Sequence, residues 1–437
     1  MRFAKADYFT WLLSAFVFLL PWQTRYIFGT LQHGSAVSEY GIMSLYASQL
    51  LLIAGLMIGY LWRGRPIISE AGRSLVIGAG GLVLVALVGL VFSTERALSL
   101  AQFIHLGSAF VVFLALLDSR VDMKRVLASF ILGLVLPLLL GAFQVLAGYT
   151  PSSTLLGLAV RNAEHLGDSV ISLPDGARML RAYGSFSHPN VFGGYLAVGV
   201  VVAGALWSKA KSLRYRSVYG VLAVVLMLGL FLTASRSAAL GLALGACLSL
   251  LVVRTKNMTK TKLMLLPVAL LAIGLTLAFT LLAPQLVAGT RGGGVNEERS
   301  IRERTAQYSE FLMTIKKASP LQVLVGHGAS SYTFELAKAF PGRAVFAYQP
   351  VHSVPLLVFF ESGLIGTLLI LSWWLAIGRL NAARFPNRDA VAALAVGNMV
   401  LVVIFFDHYL LTSWSGLALL AIVAALLARS GEPTSAA

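Results

Sequence analysis

Twelve apolar runs, each long enough to cross a bilayer, divide this chain: about 8–28, 39–61, 74–92, 97–117, 126–147, 190–207, 217–234, 238–253, 263–283, 353–377, 390–406 and 414–428. A hydrocarbon core about 30 Å thick takes about 20 apolar residues of helix. Inside it every backbone N–H and C=O must be satisfied by the chain itself, which favours helices for such runs. With 58% hydrophobic and 12% charged residues and a mean hydropathy of +0.82, a soluble domain with a large core is excluded. The expected fold is an all-α integral membrane protein of about 12 transmembrane helices.

The net charge of +16 raises nucleic acid as a partner, but the basic residues form no stripe on a soluble face; they alternate with the apolar runs. With the N-terminus in the cytoplasm, clusters such as Arg63, Arg65 and Arg73, or Lys209, Lys211, Arg214 and Arg216, fall on one side. Counting Arg2, Lys5 and Arg429, that side holds 20 of the 34 basic residues, as the positive-inside bias requires, and both termini are cytoplasmic. Both long polar stretches then face outward. The chain is thereby divided into a five-helix membrane part (1–147), a first outward loop (148–189), helices six to nine (190–283), a large outward loop (284–352), and helices ten to twelve with a cytoplasmic tail (353–437). Arg2 and Lys5 precede an apolar run without a small-residue cleavage site, so an uncleaved first span is expected. The single cysteine, Cys247, excludes an internal disulfide and a cysteine metal cluster. Neither a metal site nor a cofactor is expected.

The large loop holds the residues best suited to chemistry. Residues 300–317 pattern as an amphipathic helix with Ile301, Tyr308, Phe311, Leu312 and Ile315 on one stripe. Arg304 falls on that stripe, whereas Arg302 projects elsewhere. A guanidinium turned inward needs an anion, and its planar fork suits a phosphate. His352 stands where helix ten begins, where the positive end of the helix dipole disfavours imidazolium and leaves a neutral base. Glu361, nine residues on, is half a turn round the helix and reads as a packing residue. In the first loop Arg181 and His188 lead to Asn190, a natural N-cap for helix six. Arg236 sits in the tight Ser235-Arg236-Ser237 turn between helices seven and eight. Asp407 and His408 return polar groups to the outer end between helices eleven and twelve, either to complete a site or to cap the hairpin. Glu39, Glu95 and His105 read as interfacial anchors.

Three pieces in order, Ser235-Arg236-Ser237, Arg304 to Tyr308 followed by Gly326-His327-Gly328, and His352-Ser353 to Glu361, Gly363 and Gly366, resemble the O-antigen ligase and polymerase family of bacterial polytopic membrane proteins. Gly184 to Asn190 and Asp407-His408-Tyr409 add to the likeness, which covers about 181–416. The resemblance implies a GT-C-type glycosyltransferase of the inner membrane with its active site in the periplasm. Such an enzyme transfers a glycan from undecaprenyl pyrophosphate to an acceptor, the lipid A core oligosaccharide for the ligases, by a metal-independent inverting mechanism. The family's two arginines fall on Arg236 and Arg304 and its histidine on His352, with Arg181, His188, Asn190, Arg302, Tyr308, Asp407 and His408 expected at the substrates. Tyr308 stands where the family often has tryptophan. A polymerase, a protein O-oligosaccharyltransferase and, from another class, a transporter are the alternatives. A transporter would place ionisable groups near mid-membrane, where only Glu361 falls.

Overall fold

The computed structural model describes residues 7–33, 36–165, 167–172, 176–255, 293–384 and 387–430. The chain opens with α1 (Asp7–Leu19), a hairpin of β1 (Arg25–His33) and β2 (Ala36–Tyr46), then α2 (Ala47–Arg63), α3 (Glu70–Phe92) and α4 (Arg96–Leu116). The stretch expected as one helix over 126–147 is two, α5 (Met123–Gly133) and α6 (Val135–Ala147). Pro137, which has no N–H for the carbonyl four residues back, accounts for the break. Short strand pairs follow, β3 (Tyr149–Thr150) with β4 (Arg161–Asn162) and β5 (Val170–Ser172) with β6 (Arg178–Leu180). Next come α7 (Pro189–Lys209), α8 (Leu213–Thr233) and α9 (Arg236–Thr255). Beyond the expected span 263–283, which lies outside the described residues, the chain resumes as α10 (Gly293–Ile315), α11 (Pro320–Val325), α12 (Tyr332–Ala339) and α13 (Val354–Ala383). It ends with α14 (Arg388–Val403), α15 (Tyr409–Thr412) and α16 (Trp414–Arg429).

Six described helices, α5 and α6 counted as one, are long and apolar enough to cross a membrane; α1, α2, α9, α14 and α16 are apolar but shorter. This is an integral membrane protein. α7 runs through its centre, with Phe192 and Tyr195 fully enclosed and the Tyr195 hydroxyl donating to the Ser415 carbonyl at 2.7 Å. α3 instead presents Ile77, Leu84 and Val91 outward, the surface a lipid-facing helix needs.

The expectation of an all-α chain is corrected by the hairpin. Residues 25–46 pair antiparallel, with Tyr26 opposite Leu45 and Thr30 opposite Ile42. Apolar content alone does not separate a strand from a helix, and β-branched and aromatic residues tip the balance here. Gly41 permits the close approach, because a Cβ there would lie 2.6 Å from the Leu31 carbonyl oxygen.

α13 is broken at Gly363, whose φ of 64° and ψ of −167° are not helical. A Cβ at this position would collide with the backbone of Leu324 and Gly326. The Phe360 and Glu361 carbonyls accept from the backbone N–H groups of His327 and Gly328, both at 3.0 Å. The turn after α11 thus supplies the donors that a broken helix at this depth requires.

Candidate active site

One cavity of about 340 Å³ lies where the hairpin, the first long loop, the large loop and the α14–α15 connection meet. The hairpin contributes Arg25, Glu39 and Tyr40; the first loop contributes Arg161, Ser169 and His188. Asn190, Tyr332, His352, Glu361, Asp407 and His408 complete its polar wall. Of the residues expected at the site, His188, Asn190, His352, Asp407 and His408 line the cavity, whereas Arg181, Arg236, Arg302, Arg304 and Tyr308 do not.

Contacts nevertheless link the two groups. Arg181 donates from Nε to the Thr233 carbonyl and from Nη2 to Asn190 Oδ1, both at 2.8 Å. Asn190 Nδ2 donates to Asp407 Oδ2 at 2.7 Å, and the His408 backbone N–H donates to Asp407 Oδ1 at 2.9 Å. The His408 ring meets that of His352 edge to face, centroids 5.1 Å apart. Gln307 Oε1 lies 2.8 Å from His352 Nδ1 and accepts from the His352 backbone N–H at 3.2 Å. Arg304 stands one turn before Gln307 on α10, and Arg236 opens α9 three residues beyond Thr233.

Three expectations are corrected. Asn190 is not the cap of α7: Pro189 takes the first helical position, so His188 before it caps instead, its Nδ1 accepting the Asn190 N–H at 3.1 Å. The amide of Asn190 is thereby released to bridge Arg181 and Asp407. On α10 the protein-facing stripe runs through half-buried Arg304 and Gln307 to buried Phe311 and Thr314, while Tyr308 is 45% and Leu312 56% exposed. An apolar side chain beside a bilayer has two apolar surroundings to choose from, so the stripe alone does not say which one it takes. Arg302 is exposed and Arg304 half-buried, as the register argument expects. Finally, Glu361, expected as a packing residue, lines the cavity.

Charge in the cluster is set by dehydration. Arg181 loses hydration, which lowers its pKa to about 10, with Tyr183 and Asp407 working against the decrease and Arg236 with it; it stays cationic near neutrality. Burial pushes the Asp407 carboxyl up, but the imidazoles of His408, His352 and His188 and the Asn190 hydrogen bond outweigh it, leaving the pKa below its ordinary value. Desolvation, then the nearby Arg181 charge, hold His188 far below its usual range. His408 is brought down to about 3 by desolvation and the charge of His352. The cap agrees for His188, since protonating Nδ1 would remove the acceptor of the Asn190 N–H.

This has a consequence for stability. The unfolded histidines titrate near 6.5, and native His408 and His188 well below that. Between about pH 6.5 and 3 the unfolded chain therefore binds protons that the native state excludes, and acid favours unfolding. Asp407, with its lowered native pKa, adds in the same direction further down. The detergent-solubilised protein is expected to melt several degrees lower at pH 5 than at pH 7.5, and His408→Gln to flatten that dependence in thermal denaturation.

Sequence reading missed Gln307, Arg161, Arg25 and Tyr40, and read Glu39 and His105 as anchors, although both line the cavity. The signal was the presence of Arg25, Glu39 and Ser44 in and beside runs otherwise apolar enough to span. Gln307 gave none. Among the described residues no three carboxylate, imidazole or thiol groups are placed to hold a metal ion.

A polytopic membrane protein whose polar cavity is lined by its hairpin, loops and helix ends has room there for a polar group carried at the bilayer surface. Residues 220–371 match the family model described as O-antigen ligase. The match spans Arg236, Arg302, Arg304, Tyr308 and His352 and is narrower than the expected 181–416. No curated protein matches the chain. That match supports a function of the O-antigen ligase or polymerase type.

Proposed function

We propose that the protein is an O-antigen ligase of the bacterial inner membrane, transferring polysaccharide from undecaprenyl pyrophosphate to a sugar hydroxyl of the lipid A core on the periplasmic side. The observation that carries this reading is the placement of His352: on the cavity wall, at the mouth of a spanning helix, within the matched family domain. His352 accepts the proton of the acceptor hydroxyl as its oxygen attacks the anomeric carbon from the face opposite the leaving group. The bond from that carbon to the pyrophosphate oxygen breaks, and the configuration inverts. Arg236 and Arg304 neutralise the charge gathering on the departing diphosphate, a task a divalent ion performs elsewhere. The N-terminus of α9, where Arg236 sits, adds its own attraction for an anion.

The test is transfer in proteoliposomes with purified lipid-linked donor and lipid A core acceptor. Turnover is expected to be unchanged in EDTA; activity lost to chelator and restored by Mg²⁺ or Mn²⁺ would refute the metal-free mechanism. In cells, deletion is expected to abolish long-chain lipopolysaccharide while polymer accumulates on its carrier. A ladder cut to one repeat would instead indicate a polymerase.

A further inference from the structure

We infer that Gln307 is a positioning residue that selects the tautomer of His352, placing the hydrogen on Nδ1 and the basic lone pair on Nε2. The inference rests on the reading of His352 as the base. A backbone N–H can only donate, so the Gln307 atom that receives the His352 N–H, at 3.2 Å, is the amide oxygen. The same oxygen lies 2.8 Å from Nδ1. An amide oxygen has no hydrogen to give, so Nδ1 is the donor of that contact. A neutral imidazole with hydrogen on Nδ1 has its lone pair on Nε2.

The arrangement ties two elements distant in sequence. Gln307 is on α10, on the face that carries Arg304 one turn earlier, and it clamps both the backbone and the ring of the residue before the α13 cap. The contact therefore registers the helix bearing the proposed phosphate-binding arginine against the proposed base. The side of His352 facing the α14–α15 connection is occupied by the ring of His408, so Gln307 holds the imidazole from the opposite element.

Two variants of similar size separate the tautomer from the packing. Gln307→Glu keeps an oxygen acceptor; Gln307→Leu keeps the bulk and removes it. With Leu, kcat is expected to fall about 10- to 100-fold, the scale seen when the hydrogen-bond partners of metal-bound histidines are removed. KM is expected to be unchanged, and Glu to restore kcat to within a few-fold of the natural protein. Histidine-selective ¹⁵N NMR of the unsubstituted full-length protein provides a readout independent of turnover and of how the variants fold. The His352 signals, identified by their loss in His352→Ala among seven histidines, are expected to show a protonated Nδ1 and an unprotonated Nε2. The reverse pattern, or Leu and the natural protein with equal kcat, overturns the inference. Failure of the base assignment is separable: it would appear as normal turnover in His352→Ala, whatever the NMR shows.

Discussion

His352→Ala is expected to lower kcat for glycan transfer by about 10²- to 10⁴-fold, the range that a positioned general base contributes, while donor binding falls little. The imidazole is half-buried on the cavity wall, held on one side by Gln307 and bordered on another by His408. Truncation leaves the acceptor hydroxyl without a proton acceptor, since His408 and His188 are too weak as bases with their lowered pKa values to take over. His352→Gln, which keeps a hydrogen-bonding group of similar length but cannot take up a proton, is expected to be nearly as impaired. Near-normal turnover in either variant would remove the base from the mechanism.

Arg236→Ala and Arg304→Ala are each expected to cost about 10²- to 10³-fold in kcat, as loss of one fixed donor to developing negative charge does elsewhere. Lysine at either place keeps the charge but loses the planar fork and is expected to recover only part of the rate. Arg302→Ala is the control. Arg302 is exposed and lies about 200° round α10 from Arg304, away from the protein-facing side that Arg304 and Gln307 share, so its loss should leave turnover within a few-fold. An inactive Arg302 variant beside an active Arg304 variant would show that the wrong guanidinium had been assigned to the diphosphate. Neither Arg236 nor Arg304 lines the cavity. Measured donor affinity in the two alanine variants therefore tests directly whether they reach the lipid carrier's phosphates.

Much of the helical framework was legible in the sequence because the apolar runs are long and broken by polar turns. The exceptions have identifiable causes. The hairpin of Arg25–His33 with Ala36–Tyr46 was lost because a hydropathy window registers Ile27, Phe28, Ile42 and Met43 alike whether they lie on a strand or a helix. For the site, His188, Asn190, His352, Asp407 and His408 were found as isolated polar residues at the ends of runs, and the structure brings them to one wall. The role of Asn190 was misread because its neighbour Pro189 moves the cap back by one position. Glu361 was misplaced because a position half a turn from His352 reads as packing, whereas the cavity wall takes in both residues. Gln307 remained invisible: one amide on a helix acquires meaning only from the residue it meets.

Among the described residues the first helix, α1, covers 13 residues and so about 20 Å at 1.5 Å per residue, short of the roughly 30 Å that lipid tails occupy. Among the described residues the two strands that follow pair only with each other, and the outer edges of such a ribbon need water or headgroup oxygens rather than acyl chains. On this flank the protein therefore offers the bilayer a lowered apolar wall, with Arg25, Glu39 and Tyr40 just behind it.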